Sequence, residues 1–309
     1  MKLEILDSTL RDGAQGADIS FSLSDKLAVA RALAALGIPL IEAGNPGSNP
    51  KDAEFFAEAQ KLSLGGSALV AFGSTRRKHT RAEDDAALAA LLSAGTAAVC
   101  IFGKASALHV AHVLETSPEE NLAMIADSVR FARQAGRRVI FDAEHFFDGY
   151  RENPDYALAV LRAATDAGAD TLCLCDTNGS TFPDQIGAIT ALVCQKFPGQ
   201  KIGIHCHNDS GLAVAGSMQA VFSGATHVQG TLLGLGERCG NANLSTILPN
   251  LQLKAGYDCI PPQQMEHLTS TCRALADTAN LSLPGNLPYE RIRMMEKACE
   301  TYRGGSYEL

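Results

Sequence analysis

His205 and His207 stand two residues apart in the stretch Gly203–Asp209, GIHCHND. Ile202, Gly203 and Ile204 before them read as a short buried strand, and residues two apart on a strand face the same way. Two imidazoles at a strand end can share one cation. Asn208 and Asp209 end the strand with turn chemistry. Alone, the pair could equally be two ordinary histidines beside a loop; two other stretches give it weight, Thr9–Gly13 (TLRDG) and Gly234–Asn241 (GLGERCGN). Asp12, His205, His207 and Asn241 then offer two imidazoles and two oxygens. A mixed nitrogen and oxygen set with room for water suits Mn²⁺, Mg²⁺ or Zn²⁺, and it lacks the thiolates of a structural zinc site. Such a cation can chelate a 2-oxo acid through its carbonyl and carboxylate oxygens and make the carbonyl carbon electrophilic. Arg11, beside Asp12, can bond the same oxygens and stabilise the alkoxide formed on attack. Its structural alternative is a salt bridge with Glu42 or Asp7. Glu144, in DAEHFFDGY, and Thr177, in CDTNG, lie at neighbouring strand ends, where either could hydrogen-bond a substrate carboxylate or hydroxyl. Glu237 has two open roles: direct catalysis, or an ion pair with Arg238 that holds the loop carrying Asn241.

These residues need a scaffold that gathers strand ends. Short apolar runs alternate with longer Ala/Leu-rich helical runs along the chain. Strands are expected at Leu3–Ser8, Pro39–Ala43, Ala68–Phe72, Ala98–Phe102, Arg138–Asp142, Thr171–Cys175, Lys201–His205 and Thr226–Gly230. Helices are expected at Ser24–Leu36, Asp52–Lys61, Glu83–Ser93, Pro118–Gln134, Pro154–Asp166, Pro183–Lys196, Ser210–Ser223 and Ala242–Ala255. Ser24 before Asp25, and Ser117-Pro118-Glu119, are start signals. Gly37, Gly95, Gly136, Gly168 and Gly224 are stop signals. Eight such units fit a (β/α)8 TIM barrel. A doubly wound open sheet would want a Gly-rich phosphate turn after an early strand, and no GxGxxG stands there. The barrel places chemistry at the C-terminal ends of its strands. There fall Arg11, Asp12, Glu42, Asp142, Glu144, Asp176, Thr177, both histidines and the run Glu237–Asn241. Residues 1–256 are read as the catalytic barrel. Residues 257–309 are read as a helical extension, with helices over Gln263–Ala279 and Tyr289–Tyr302.

Composition narrows the classes. The chain has 309 residues, 46% of them hydrophobic, and a net charge of -8. That is enough core for one large or two ordinary domains, and the charge disfavours nucleic acid and anionic membrane as partners. No apolar run approaches the roughly 20 residues of a membrane span. The N-terminus runs straight into Leu3–Leu6, so no signal peptide is expected. Nine cysteines without a CxxC pair read as reduced, mostly buried thiols of a cytoplasmic protein. Beyond the strand–helix unit there is no internal repeat and no low-complexity linker.

LDSTLRDGAQ, HCHND and GLGERCGN together resemble the DRE-TIM metallolyase superfamily, in its Claisen-condensing branch of isopropylmalate, homocitrate and citramalate synthases. The likeness is closer to the citramalate synthase type through FSLSDKL, NPGSNPKDAEFF, FGSTRRKH, IFGKASALHV, DAEHFFDGY, CDTNGSTFP and NLQLKAGY, and it spans Lys2 to about Leu281. The resemblance implies that Asp12, His205, His207 and Asn241 carry the divalent metal, that Arg11 polarises the keto acid, and that Glu144 and Thr177 lie in the substrate pocket. It implies an acyltransferase that condenses acetyl-CoA with a small 2-oxo acid, pyruvate first, giving citramalate and CoA. Arg76, Arg77 and Lys78 after the third strand, with Lys104 after the fourth, could meet the phosphates of CoA; a solvated loop is the alternative. A homodimer is the expected assembly.

Two departures bear on this expectation. Synthases of this family continue past the barrel, where a histidine, often in an F-A-H-x-x-G-x-H run, helps deprotonate acetyl-CoA. No such run occurs here, and His267 lacks that context. Truncation, a short form using another base such as Glu144, and a barrel inactive in condensation all stay open. Related lyases carry a catalytic cysteine in a Gly-Gly-Cys-Pro loop, whereas here Cys239 sits in GLGERCGN, which argues against a hydroxymethylglutaryl-CoA-type lyase. A carbon–carbon lyase or aldolase on the same metal site, and a non-catalytic ligand-binding or regulatory barrel, are the alternatives.

Overall fold

Eight short runs rich in Val, Ile and Leu form the strands β1 (Glu4–Asp7), β2 (Leu40–Glu42), β3 (Ala68–Ser74), β4 (Ala98–Lys104), β5 (Arg138–Glu144), β6 (Thr171–Asp176), β7 (Lys201–Cys206) and β8 (His227–Gly230) of a computed structural model that describes residues 1–289. Each strand pairs in parallel with the next, and β8 pairs back onto β1. The expected (β/α)8 barrel is therefore the fold. Because strand side chains alternate, residues of one parity enter the lumen and the others meet the helices. The lumen is layered. At its N-terminal end Glu4 pairs with Arg138, Lys201 and His227. Above them Leu6, Leu40, Val70, Ala98, Cys100 and Ile140 pack as a separate apolar cluster. The polar residues at the C-terminal strand ends lie above that cluster.

The helices are α1 (Leu23–Ala35), α2 (Pro50–Ala59), α3 (Ala86–Ser93), α4 (Ala107–His112), α5 (Pro118–Gln134), α6 (Phe146–Glu152), α7 (Pro154–Asp166), α8 (Pro183–Lys196), α9 (Ala213–Phe222), α10 (Leu244–Pro249) and α11 (Leu268–Thr278). The span of α5 and the Ser117 cap match the sequence expectation. The start of α1 is corrected: Ser22, not Ser24, is the cap, and it exchanges hydrogen bonds with Asp25 in a capping box. The five expected stop glycines all take positive φ, from +70° to +112°, where a Cβ would be strained.

Other expectations are redrawn. Helices α4 and α6 are additional short elements in βα loops, beyond the eight helices expected. The Glu83–Ser93 helix is a 3₁₀ turn, Ala82–Asp84, followed by α3, whose cap is Asp85. The helix expected over Ser210–Ser223 begins only at Ala213. The run expected over Ala242–Ala255 divides into α10 and a π-helical turn at Asn250–Lys254 next to Pro249, where proline removes a backbone donor. Gln263–Ala279 likewise divides into a 3₁₀ stretch, Pro262–His267, and α11. The described part of the extension is tied to the barrel: Leu3 donates to the carbonyl of Asp258, and Asp258 donates to that of Met1. Beyond Tyr289, the helix expected over Tyr289–Tyr302 lies outside the described residues. No helix among the described residues is long and apolar enough to cross a membrane.

Candidate active site

A cavity of about 250 Å³ opens at the C-terminal ends of the strands, lined in part by Arg11, Asp12, Glu144, Thr177, His205 and His207. Its centre is a group of three buried donors. Nε2 of His205 lies 3.6 Å and Nε2 of His207 3.8 Å from Oδ2 of Asp12. One donor atom from each of the three falls within 4.8 Å of the others. Asp12 gets there because the chain turns sharply after β1, where the amides of Arg11 and Gly13 both donate to the carbonyl of Ser8. Asn241 is brought alongside by an isolated bridge to His207. Its Nδ2 donates to the carbonyl of Leu235 at 3.0 Å. That leaves Oδ1 of Asn241 and Oδ1 of Asp12 buried without a hydrogen-bond partner among the described residues. Buried acceptors are normally satisfied, so two orphaned oxygens beside two imidazoles suit the binding of a cation. The glycines of GLGERCGN serve this placement. Gly236 has φ +157°, and a Cβ there would be driven into Nδ2 of Asn241.

Electrostatics favour the same group. Burial would raise the carboxyl of Asp12, but Arg11 and the two histidines outweigh it and hold it well below the usual carboxylate range. Burial lowers His205, keeping its ring neutral. A second cluster of candidate ligands, Asp142, Cys173 and Cys175, lies nearby. There burial pushes the Cys175 thiol up to about 11 and Cys173 well above its ordinary value, so these sulfurs stay protonated at neutral pH and make poor ligands. Burial, reinforced by Glu42, raises Asp142 to about 6.

Arg11 makes the structural bond foreseen for it without leaving the cavity. Its Nε donates to Glu42 at 2.7 Å and its Nη1 to Asp12 at 2.9 Å. Nη2 makes no hydrogen bond among the described residues. The guanidinium lies 3.8 Å from the centre of the Phe72 ring, which stacks on Phe102 at 5.1 Å. Oγ1 of Thr177 accepts from the amide of His145, leaving its hydroxyl proton to donate. Glu144 pairs with Lys104 at 2.6 Å, so Lys104 stands with this carboxylate as well as beside the neighbouring basic loop. Glu237 lines the cavity and pairs with Arg238. Arg238 reaches the carbonyl of Thr177, both oxygens of Asp209, and Nδ1 of His207 at 2.6 Å. A donor on Nδ1 places the His207 proton on Nε2, so Nε2 is open to a cation only when Arg238 yields that position. Cys239 is exposed.

The three adjacent cations of the loop after β3 are bonded differently. Arg76 is buried and spent on Glu120 (2.7 Å) and Asp127 (2.9 Å). Its backbone amide donates to Ser128, so it braces β3 against α5. Lys78 donates to the carbonyl of Glu115. Arg76, Arg77, Lys78 and Lys104 all border a cavity of about 470 Å³ that shares Phe102 with the central one. Asp176, counted among the converging charges, turns to Thr181 instead. Sequence reasoning passed over Phe72, Phe102, Gln15 and Cys175, which line the site, and Gln229, which lies behind His205. For Gln229 the signal was an amide in the apolar run HVQG, since a buried amide must find partners.

The model of the HMGL-like family matches residues 2–299. The chain is 56% identical over 294 residues to a protein of Synechocystis sp. named (R)-citramalate synthase, covering 93% of this chain and 54% of that protein. It is 50% identical over 288 residues to the protein of the same name from Aquifex aeolicus, with the same shares covered. The chain thus spans about half the length of the curated relatives it matches. Among solved structures, the HMG-CoA lyase of Bacillus subtilis superposes with a TM-score of 0.78 over 95% of this chain and 98% of that one at 21% identity, a likeness of fold.

Proposed function

We propose that this chain, which belongs to the HMGL-like family, is the catalytic barrel of a citramalate-synthase-type acyltransferase, joining the methyl carbon of acetyl-CoA to the keto carbon of pyruvate, after which water cleaves the thioester to give citramalate and free CoA. The observation that carries the reading is the convergence of Asp12, His205 and His207 on one point in a cavity edged by Arg11. The names of the curated relatives supply the product, (R)-citramalate. Asp12, His205, His207 and Asn241 would hold a divalent ion, Mn²⁺, Mg²⁺ or Zn²⁺. When bound, that ion supplies Lewis-acid activation of a 2-oxo acid.

The chain's own residues do the rest. Nη2 of Arg11 donates to the keto oxygen and meets the negative charge that develops there. Held by Glu42 and by the Phe72 face, it needs little reorganisation at the moment of reaction. The Thr177 hydroxyl donates to the pyruvate carboxylate. Phe72 and Phe102 cover one side of the cavity and limit water. Glu144 is our assignment for the group that takes the proton from the acetyl methyl. Glu237 has its place as the residue that, with Arg238, sets the loop carrying Asn241. Arg77 and Lys78 meet the phosphates of acetyl-CoA in the adjoining cavity, and Arg76 braces the loop that bears them. The proposal includes a homodimer in the cytoplasm; the eight described cysteines, all free, agree with a reducing compartment.

The test combines binding and turnover on this chain. Calorimetry with pyruvate is run with Mn²⁺ and after chelation, and CoA release is followed with a thiol reagent while mass spectrometry identifies the product. Expected are ion-dependent pyruvate binding and pyruvate-dependent CoA release with formation of citramalate. Absence of ion-dependent pyruvate binding overturns the site. Retro-aldol cleavage without condensation overturns the acyltransferase assignment in favour of a lyase.

A further inference from the structure

Strand β8 contributes a buried amide, Gln229, between the metal-site wall and the opposite side of the lumen. Its Oε1 lies 2.8 Å from Nδ1 of His205. Its Nε2 donates to Oδ1 of Asp142 on β5, also at 2.8 Å. An amide has one accepting end and one donating end. With the donating end on the Asp142 carboxylate, the accepting end must face His205, and Nδ1 of His205 must carry the proton. The lone pair of His205 then sits on Nε2, the nitrogen turned toward Asp12. His207 has a donor, Arg238, at the corresponding nitrogen. Of the two imidazoles, only His205 is held in the tautomer that presents Nε2 to a cation.

We propose that Gln229 is a positioning residue for a divalent cation: through the chain Asp142–Gln229–His205 it fixes the tautomer and ring orientation of His205. The inference rests on the metal reading above. Partners behind a metal-bound histidine commonly fix its tautomer and raise its basicity, and their loss weakens binding by roughly 10- to 100-fold. A glutamine does this without adding charge to a buried set that already holds Asp12, Glu42 and Asp142.

Two measurements test it, neither of which uses turnover. Long-range ¹H–¹⁵N spectra of the ion-free wild type should show His205 protonated on Nδ1. Calorimetry with Mn²⁺ should show Gln229→Met, which keeps the volume but loses the acceptor, binding roughly 10- to 100-fold more weakly. The pair Gln229→Glu with Asp142→Asn exchanges the two side-chain types and keeps both hydrogen bonds, so it should regain most of the affinity. A structural role alone would give neither the tautomer nor the recovery. An Nε2-protonated His205 in the wild type overturns the proposal, even where the variants fail to fold. So does Mn²⁺ binding by Gln229→Met within twofold of wild type. A wild type that binds no Mn²⁺ overturns the metal reading, and the ligand role of His205 with it, which sets that failure apart from the failure of the relay alone.

Discussion

Nε of Arg11 donates to Oε2 of Glu42 across 2.7 Å, and the same oxygen takes the hydroxyl of Ser8 at 2.5 Å. The guanidinium is thus aimed by a residue of the neighbouring strand. Arg11→Ala should lower turnover roughly 10²- to 10³-fold, the range for loss of one oxyanion donor, with a much smaller change in Mn²⁺ affinity. Arg11→Lys should not restore it, since one ammonium cannot hold Glu42 and a ligand oxygen in the same plane. Parallel kinetics and calorimetry decide; near-normal turnover in Arg11→Ala would make the residue structural.

Arg76 and its two neighbours should separate in mutation. Arg76 is 6% exposed at its side chain and bonded to two carboxylates on α5. Arg76→Ala should lower the melting temperature by roughly 2–5 °C, because Glu120 and Asp127 both lose their partner, while the backbone bond to Ser128 is kept. The double change Arg77→Ala with Lys78→Ala should leave melting unchanged and raise KM for acetyl-CoA several-fold with little effect on kcat. An unchanged KM in that double variant removes the phosphate role.

Acid sensitivity should trace to the lower end of the barrel. Burial lowers the buried His227 below its ordinary 6.5, against the opposing pull of Glu4. As pH falls through 6.5 the unfolded chain takes up a proton that the native ring refuses, so stability declines with falling pH. Burial would raise Glu4, but His227 and Arg138 prevail and hold it well below 4.5. Its contribution is full above 4.5 and is lost as pH falls further. Urea unfolding at pH 7.5, 6.0 and 5.0 should show this loss as a difference between wild type and His227→Gln, because the buried carboxyls of Asp7 and Asp142, raised to about 7 and about 6, take up protons in the native state and oppose it equally in both proteins. In His227→Gln the slope between 6.5 and 4.5 should be shallower, with the part due to buried His205 remaining. Identical slopes in both proteins would exclude His227 as the source.

The period of the apolar runs was enough to specify a barrel, since eight strand–helix units of this length close on themselves and polar strand ends then share one rim. Local motifs were legible for the same reason. His205 and His207 two apart, Asp12 next to Arg11, and the glycines of GLGERCGN are short-range facts, fixed by strand parity and by φ values that only glycine takes easily. What tertiary structure decided is which charge meets which. Arg76, Arg77 and Lys78 are equivalent in a row of letters, yet only Arg76 faces Glu120 and Asp127, because β3 turns it under α5. Lys104 meets Glu144 through the register of β4 on β5. Gln229 bonds His205, 24 residues earlier, and Asp142, 87 residues earlier. Such pairings depend on closure of the barrel, which brings distant side chains into one lumen, and no spacing along the chain encodes them.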